Sequence, residues 1–147
     1  MAEPDAKAVA HRTLSEILDG GGDLGYMEET LPQLTALAAE LAAPDFVCVL
    51  AGIPPTPEQE FPGVEGIARA WSDYGAAWEK VRAELEEVRE TDDHIVLLVT
   101  QVATTRHQGV EISQPSAMVF AFEDGRLTRL EFHLDRAHAL RRAGIEG

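Results

Sequence analysis

Nucleophiles, proton carriers and metal ligands are thinly spread along this chain. Its single cysteine, Cys48, stands inside the apolar run Phe46-Val47-Cys48-Val49-Leu50. A thiol becomes a nucleophile when a nearby base or helix N-terminus depresses its pKa. No histidine stands at a spacing that suggests such a partner, so Cys48 reads as a buried, inert thiol. The five histidines never pair at the i, i+3 or i, i+4 spacing of a helical metal site. His133 and His138 come closest, across a strand–helix junction, and no metal or other cofactor is expected. His94 and His107 fall in turns and read as solvated. Asp45 precedes the apolar run and reads as a cap or pin at the start of its strand, with a functional role as the alternative. Tyr26 lies just after a glycine-rich stretch, in a direction the sequence leaves open. Trp71, Tyr74 and Trp78 recur at helical spacing; the stripe is either core or a ligand-contacting wall, and the Tyr74 hydroxyl could hydrogen-bond a ligand.

Charge narrows the partners. Twelve Lys and Arg against 26 Asp and Glu give a net charge of −14. Nucleic acid and anionic membrane surfaces both call for a basic stripe, which this balance argues against. One cysteine excludes an internal disulfide and any C-x-x-C pair. No apolar run approaches the ~18 residues of a membrane span, and the first residues lack the basic start and apolar core of a signal peptide. The expectation is one soluble, cytoplasmic domain over 1–147, acting on a small molecule or on a second copy of itself.

The elements that must position these residues follow from periodicity. Helices are predicted over 6–18 and from Thr30, an N-cap with Gln33 three residues on and Pro32 in the first turn, to Pro44. Phe46 to Leu50 reads as a buried strand. The stretch 52–63, with Pro54, Pro55, Pro57 and Pro62, reads as a long loop. A helix from about Val64 carries Ile67, Trp71, Tyr74, Trp78 and Val81. From Arg82 the period falls to two, with an irregularity near Glu87. Residues 94–104 are apolar on both faces and read as a central strand. Strands over 110–122 and 127–134 flank the hairpin turn Glu123-Asp124-Gly125-Arg126, and a short helix over 136–143 ends at Gly144. Helices followed by a four-strand meander predict an α+β domain with a pocket between helices and sheet.

The ordered set Gly63-Val64-Glu65-Gly66-Ile67, Ala77-Trp78-Glu79, the Glu86 strand, Asp93-His94-Ile95-Val96, 119–127, 130–136 and Ala139-Leu140 resembles SnoaL-like proteins of the nuclear transport factor 2-like superfamily. The resemblance spans 43–144 and departs over 1–42, where the helical stretch is longer than usual. It implies a cone-shaped, curved antiparallel or mixed sheet, a cystatin-like α+β barrel with helices on its concave face around a central pocket. It also implies polyketide cyclase-like or isomerase-like chemistry. Each such reaction uses a buried carboxylate of tuned pKa to move a proton. On the last strand that position falls at Phe132. The Arg-x-Asp of epoxide hydrolases falls at Val99-Thr100-Gln101, and the isomerase base near Leu50. None of the three positions holds a carboxylate.

With Phe132 facing the pocket, alternation turns Leu130 and Leu134 the same way and Arg129, Glu131 and His133 to the other face. On the central strand Ile95, Leu97, Val99 and Gln101 point in, and Val96, Leu98, Thr100 and Val102 point out. So apolar an outer face predicts a homodimer, with Arg129, Glu131 and His133 as an interface cluster. The expected lining is Phe46, Cys48, Leu50, Trp71, Tyr74, Trp78, Leu97, Val99, Gln101, Leu130 and Phe132. Gln101, the inward amide, must find a protein or ligand partner. Candidates for chemistry are Gln101, Tyr74, Tyr26 and Asp45. The partner is an apolar small molecule, to be cyclised or isomerised, or bound without conversion.

Overall fold

In the computed structural model, which describes residues 6–21, 23–51, 58–75 and 78–145, the period-two half of the chain forms a continuous meander. Strands β4 (Trp78–Glu90), β5 (His94–Thr105), β6 (Glu111–Glu123) and β7 (Arg126–His133) pair antiparallel in succession. Three further strands extend them. β2 (Ala42–Ala51) lies parallel to β7, β3 (Gln59–Pro62) pairs antiparallel with β2, and β1 (Asp23–Tyr26) pairs with β4. The order β1-β4-β5-β6-β7-β2-β3 makes a mixed seven-stranded sheet among the described residues. It is open rather than closed, with β1 and β3 at its edges. The α+β architecture expected from the order of elements is the one observed.

Helices α1 (Ala6–Asp19), α2 (Met27–Leu41) and α3 (Gly66–Gly75) pack on one face of this sheet. They contribute Ala10 and Leu14, Ala38, and Ile67 and Ala70 to a core that includes Val81, Leu85, Ile95, Leu97, Phe120, Leu127 and Leu130. Fully burying a side chain of that size stabilises the fold by roughly 1.5–3 kcal/mol, so this inner face dominates the energetics. The close approach of α3 to the sheet requires a glycine. A Cβ on Gly66 would lie 2.2 Å from the Phe61 carbonyl oxygen.

The fourth helix differs. α4 (Arg136–Arg142) packs on the outer face, where Ala139, Leu140 and Ala143 cover Val96, Leu98, Ala117 and Val119. Asp135 caps it, accepting from the backbone N–H groups of Ala137 and His138 at 3.1 and 3.4 Å. Gly144, at φ 78°, turns the chain back so that the Ile145 N–H reaches the Leu140 carbonyl at 2.9 Å. The helices therefore do not all lie on the concave side. Of the outward residues behind the expected homodimer, Val96 and Leu98 are hidden within one chain at 0% and 6% exposure, while Thr100 and Val102 are half-buried.

Other expectations are corrected by tertiary pairing. α2 begins at Met27 with Tyr26 as an N-cap of extended backbone, so Thr30 lies inside the helix rather than at its N-cap. Docking of β1 on β4 sets that start. Pro44 does not stop the helix. The chain enters β2 at Ala42, and Pro44 falls where the pairing with β7 shifts between Ala42 and Val47, a place that needs no ladder hydrogen bond from it. Part of the predicted 52–63 loop is strand β3, and residues 52–57 lie outside the described ones. Trp78 and Val81 belong to β4 rather than to the helix of Trp71. The irregularity near Glu87 is a bulge between Leu85 and Glu87. No helix of the described residues is long and apolar enough to cross a membrane.

Candidate functional site

A cavity of about 30 Å³ opens on the inner face. β5 supplies Val99 and Gln101, β6 Ser116 and Met118, and β7 Phe132. These side chains share a face because Val99 pairs with Ser116 and Met118 with Phe132. Leu50 from β2, Ala83 from β4 and Trp71 from α3 complete the wall. The Trp71 indole meets Phe132 edge-on, with ring centroids 5.4 Å apart. Ala117, His133 and Leu134 close the end nearest the last turn of β7. Gln101 is 8% exposed and Ser116 4%; the Ser116 hydroxyl donates to the Gln114 carbonyl at 3.2 Å. Among the described lining residues there is no Asp, Glu, Lys or Arg.

The expected lining is thus assembled in part. Leu50, Trp71, Val99, Gln101 and Phe132 meet around this cavity. Phe46, Cys48 and Leu130 face the same way but are packed into solid core, and Trp78 sits partly buried against it. Leu97 lines a different cavity, nearer α1 and α2. The Tyr74 side chain lies outside the described residues. Tyr26 stands away from the cavity at the β1 edge, 39% exposed, with the Lys80 ammonium 5.9 Å from its ring centroid. Asp45 is exposed, three residues past the first residue of β2, so it neither caps nor pins the strand start. Burial pushes the Cys48 thiol up to about 12, which keeps it protonated and unreactive. Ser116, Ala83 and Met118 complete the wall without a sequence signal; Ser116 could have been found by extending the inward alternation from β5 to its β6 partner.

The titratable groups gather on the opposite face of β7. Glu131, 2% exposed, accepts from His133 Nε2 at 2.7 Å and from the Arg129 guanidinium, and Arg142 Nη1 reaches it at 3.2 Å. Glu58 bridges Arg129 and Arg142 from beyond the β3 edge. Burial alone would raise the Glu131 carboxyl. The His133 hydrogen bond and the positive side chains around it outweigh burial and hold the carboxyl below the ordinary glutamate range. The bond to Glu131 runs through Nε2 of His133. Nδ1 is buried without a hydrogen-bond partner among the described residues, and the ring stands edge-on to His138 at 5.2 Å. Alternation predicted Arg129, Glu131 and His133 together on this face. Arg142, His138 and Glu58 join them only through the docking of α4 and the β3 edge.

Arg136 couples the two faces. Arg136 Nη2 donates to the Val99 carbonyl at 2.6 Å, opposite the bulge of β4, while its Nε reaches the Ser116 carbonyl at 3.4 Å. Both residues line the cavity on their inner side.

Similarity to known proteins agrees with this architecture. Among solved structures, an NTF2-like protein of unknown function from Burkholderia pseudomallei superposes with a TM-score of 0.59 at 20% identity, covering 97% of this chain and 98% of that one. A proposed SnoaL-like polyketide cyclase from Mesorhizobium loti gives 0.57 at 15%, over 85% and 96%. Another from Jannaschia sp. CCS1 gives 0.54 at 15%, over 74% and 76%. At these identities the likeness speaks for the fold alone. No curated protein sequence matches the chain. The model of the SnoaL-like domain matches residues 33–130, two thirds of the chain. With the meander, the inner-face helices and the cavity between them in place, the chain belongs to the SnoaL-like domain family.

Proposed function

We propose that the protein binds a largely apolar small molecule carrying one neutral polar group, and that the inner-face cavity holds the polar end of that ligand. The supporting observation is the composition of the wall: Leu50, Trp71, Val99, Met118 and Phe132 around the amide of Gln101 and the hydroxyl of Ser116, with no charged side chain among the described lining residues. An amide and a hydroxyl can each donate and accept, which suits a hydroxyl or carbonyl group and disfavours an ion left without a counter-charge. Binding of neutral alcohols and phenols can be followed by calorimetry. Gln101→Leu should weaken a ligand that hydrogen-bonds there by roughly tenfold, about 1.4 kcal/mol, and Phe132→Trp should occlude the chamber. Equal affinity in the wild-type protein and both variants would sink this reading.

A second reading, conversion of the ligand by cyclisation or isomerisation, is favoured by His133. It is among the residues lining the same chamber, its ring is held by Glu131, and its Nδ1 is buried without a hydrogen-bond partner among the described residues. Prolonged incubation of a bound ligand, followed by mass spectrometry and chromatography, separates the two. Turnover that disappears in His133→Asn at unchanged affinity supports conversion. An unaltered ligand leaves binding alone.

A further inference from the structure

The cavity beside Gln101 is small for its role. About 30 Å³ accommodates a water or two, whereas pockets for drug-sized ligands run to roughly 300 Å³ and more. A second cavity of about 100 Å³ lies between α1, α2 and the inner face of β5 and β6. Its floor is Leu97, Met118 and Phe120, its walls are Leu14, Leu34 and Leu37, and Thr13, Thr30 and Gln33 supply its polar atoms. Met118 belongs to both linings. Val99 in the first cavity and Leu97 in the second are consecutive inward residues of β5, and Met118 pairs with Leu97 on one side and Phe132 on the other. The Met118 side chain therefore stands between the two spaces.

Resting on the binding reading above, we propose that the two cavities are the ends of one ligand channel gated by Met118. Its occupant is an elongated molecule: a neutral hydroxyl or carbonyl head beside Gln101 and Ser116, and an unbranched apolar tail running past Met118 to Leu34 and Leu37. Methionine suits the gate because its unbranched side chain has three rotatable bonds and fills or vacates irregular apolar space at little cost. From Gln101 to Leu97 is four residues along β5, about 13 Å at the rise of a strand. A single row of methylenes suits a passage opened by the movement of one flexible side chain.

The test is a chain-length series of primary alcohols, 1-butanol to 1-dodecanol, titrated by calorimetry into the full chain. Each methylene that enters apolar space should tighten binding by roughly fourfold, until the tail reaches the end of the second cavity and the gain levels off. Leu37→Trp fills that cavity, so the gain should level off several carbons earlier while 1-butanol binds as before. Met118→Ala, which removes the gate, should tighten the long alcohols by more than it changes 1-butanol. A plateau at the same length in wild type and Leu37→Trp, with Met118→Ala neutral, would overturn the channel and leave the chamber at Gln101 standing. Failure of every alcohol to bind the folded wild-type protein would overturn the binding reading together with the channel.

Discussion

The two faces of β7 divide the work of this protein between them. On the inner side Leu130 and Phe132 meet apolar neighbours, and the amide of Gln101 and the hydroxyl of Ser116 lie beside Phe132 in the cavity wall. On the outer side Arg129, Glu131 and His133 join Arg142, His138 and Glu58 in a cluster of titratable groups beneath and beside α4. The titratable side chains are thus concentrated on the face away from the helices α1 to α3, one residue out of phase with the inward ones and with only the strand itself between. Oxygen and nitrogen atoms buried at Glu131 must be paired to be tolerated, whereas the inner face is stabilised by area removed from water. The one residue common to both is His133, which belongs to the outer cluster through its ring and touches the cavity at the end of the strand.

The largest expected effect comes from breaking the outer cluster. Glu131→Ala leaves Arg129, Arg142 and His133 without their shared acceptor and should cost about 3–5 kcal/mol, read by chemical denaturation. A loss under ~1 kcal/mol would mean that solvent already screens the cluster. Next is Phe132→Ala on the inner face, expected to cost about 3 kcal/mol through lost transfer energy and residual cavity. It should also admit bulkier ligands than the wild-type protein does; loss of stability without any change in ligand size limits would detach Phe132 from the chamber.

Smaller effects probe the link between the faces. Arg136→Met strands the Val99 carbonyl and should cost about 1–2 kcal/mol, with slower-exchanging amides of β5 near the bulge losing protection. Acid titration sharpens the outer side alone. Because the folded state lowers the Glu131 pKa, its contribution is fully present above the ordinary glutamate value and is lost as pH falls through the lowered one. Glu131→Gln should therefore be less stable than wild type at neutral pH, and the gap should close on acidification; a constant gap would remove Glu131 from the acid response. The smallest effect belongs to the exposed positions. Asp45→Asn and Tyr26→Phe should stay within ~0.5 kcal/mol and leave ligand affinity alone.

Much of the architecture was legible because hydrophobic period is local information. The meander over β4 to β7, the Asp124-Gly125 turn with both residues at positive φ, and the in-out assignment along β5 all follow from it. What failed was contact at a distance. Trp78 continues the spacing of Trp71, yet it pairs with Thr105 across a strand that periodicity alone could not distinguish from another helical turn. The start of α2 depends on β1 docking against β4, and the exposed place of Asp45 on a pairing shift opposite β7. For the site, alternation put Gln101, Val99 and Phe132 on one face, and they line one cavity, but it could not tell which inward residues bound empty space and which, like Cys48 and Leu130, lie in the core.

The sequence by itself determined which side chains share a face, because alternation in a strand and spacing in a helix are properties of the backbone. It likewise determined that no carboxylate stands at Leu50, Gln101 or Phe132. Only the tertiary structure decided what covers each face. α4 folds over Val96 and Leu98, which one strand's pattern leaves bare, and brings Arg142 and His138 to Glu131 and His133. Met118 divides the inner space because Leu97 and Phe132 are its partners on either side. Those are contacts between elements far apart in the chain, and no local period encodes them.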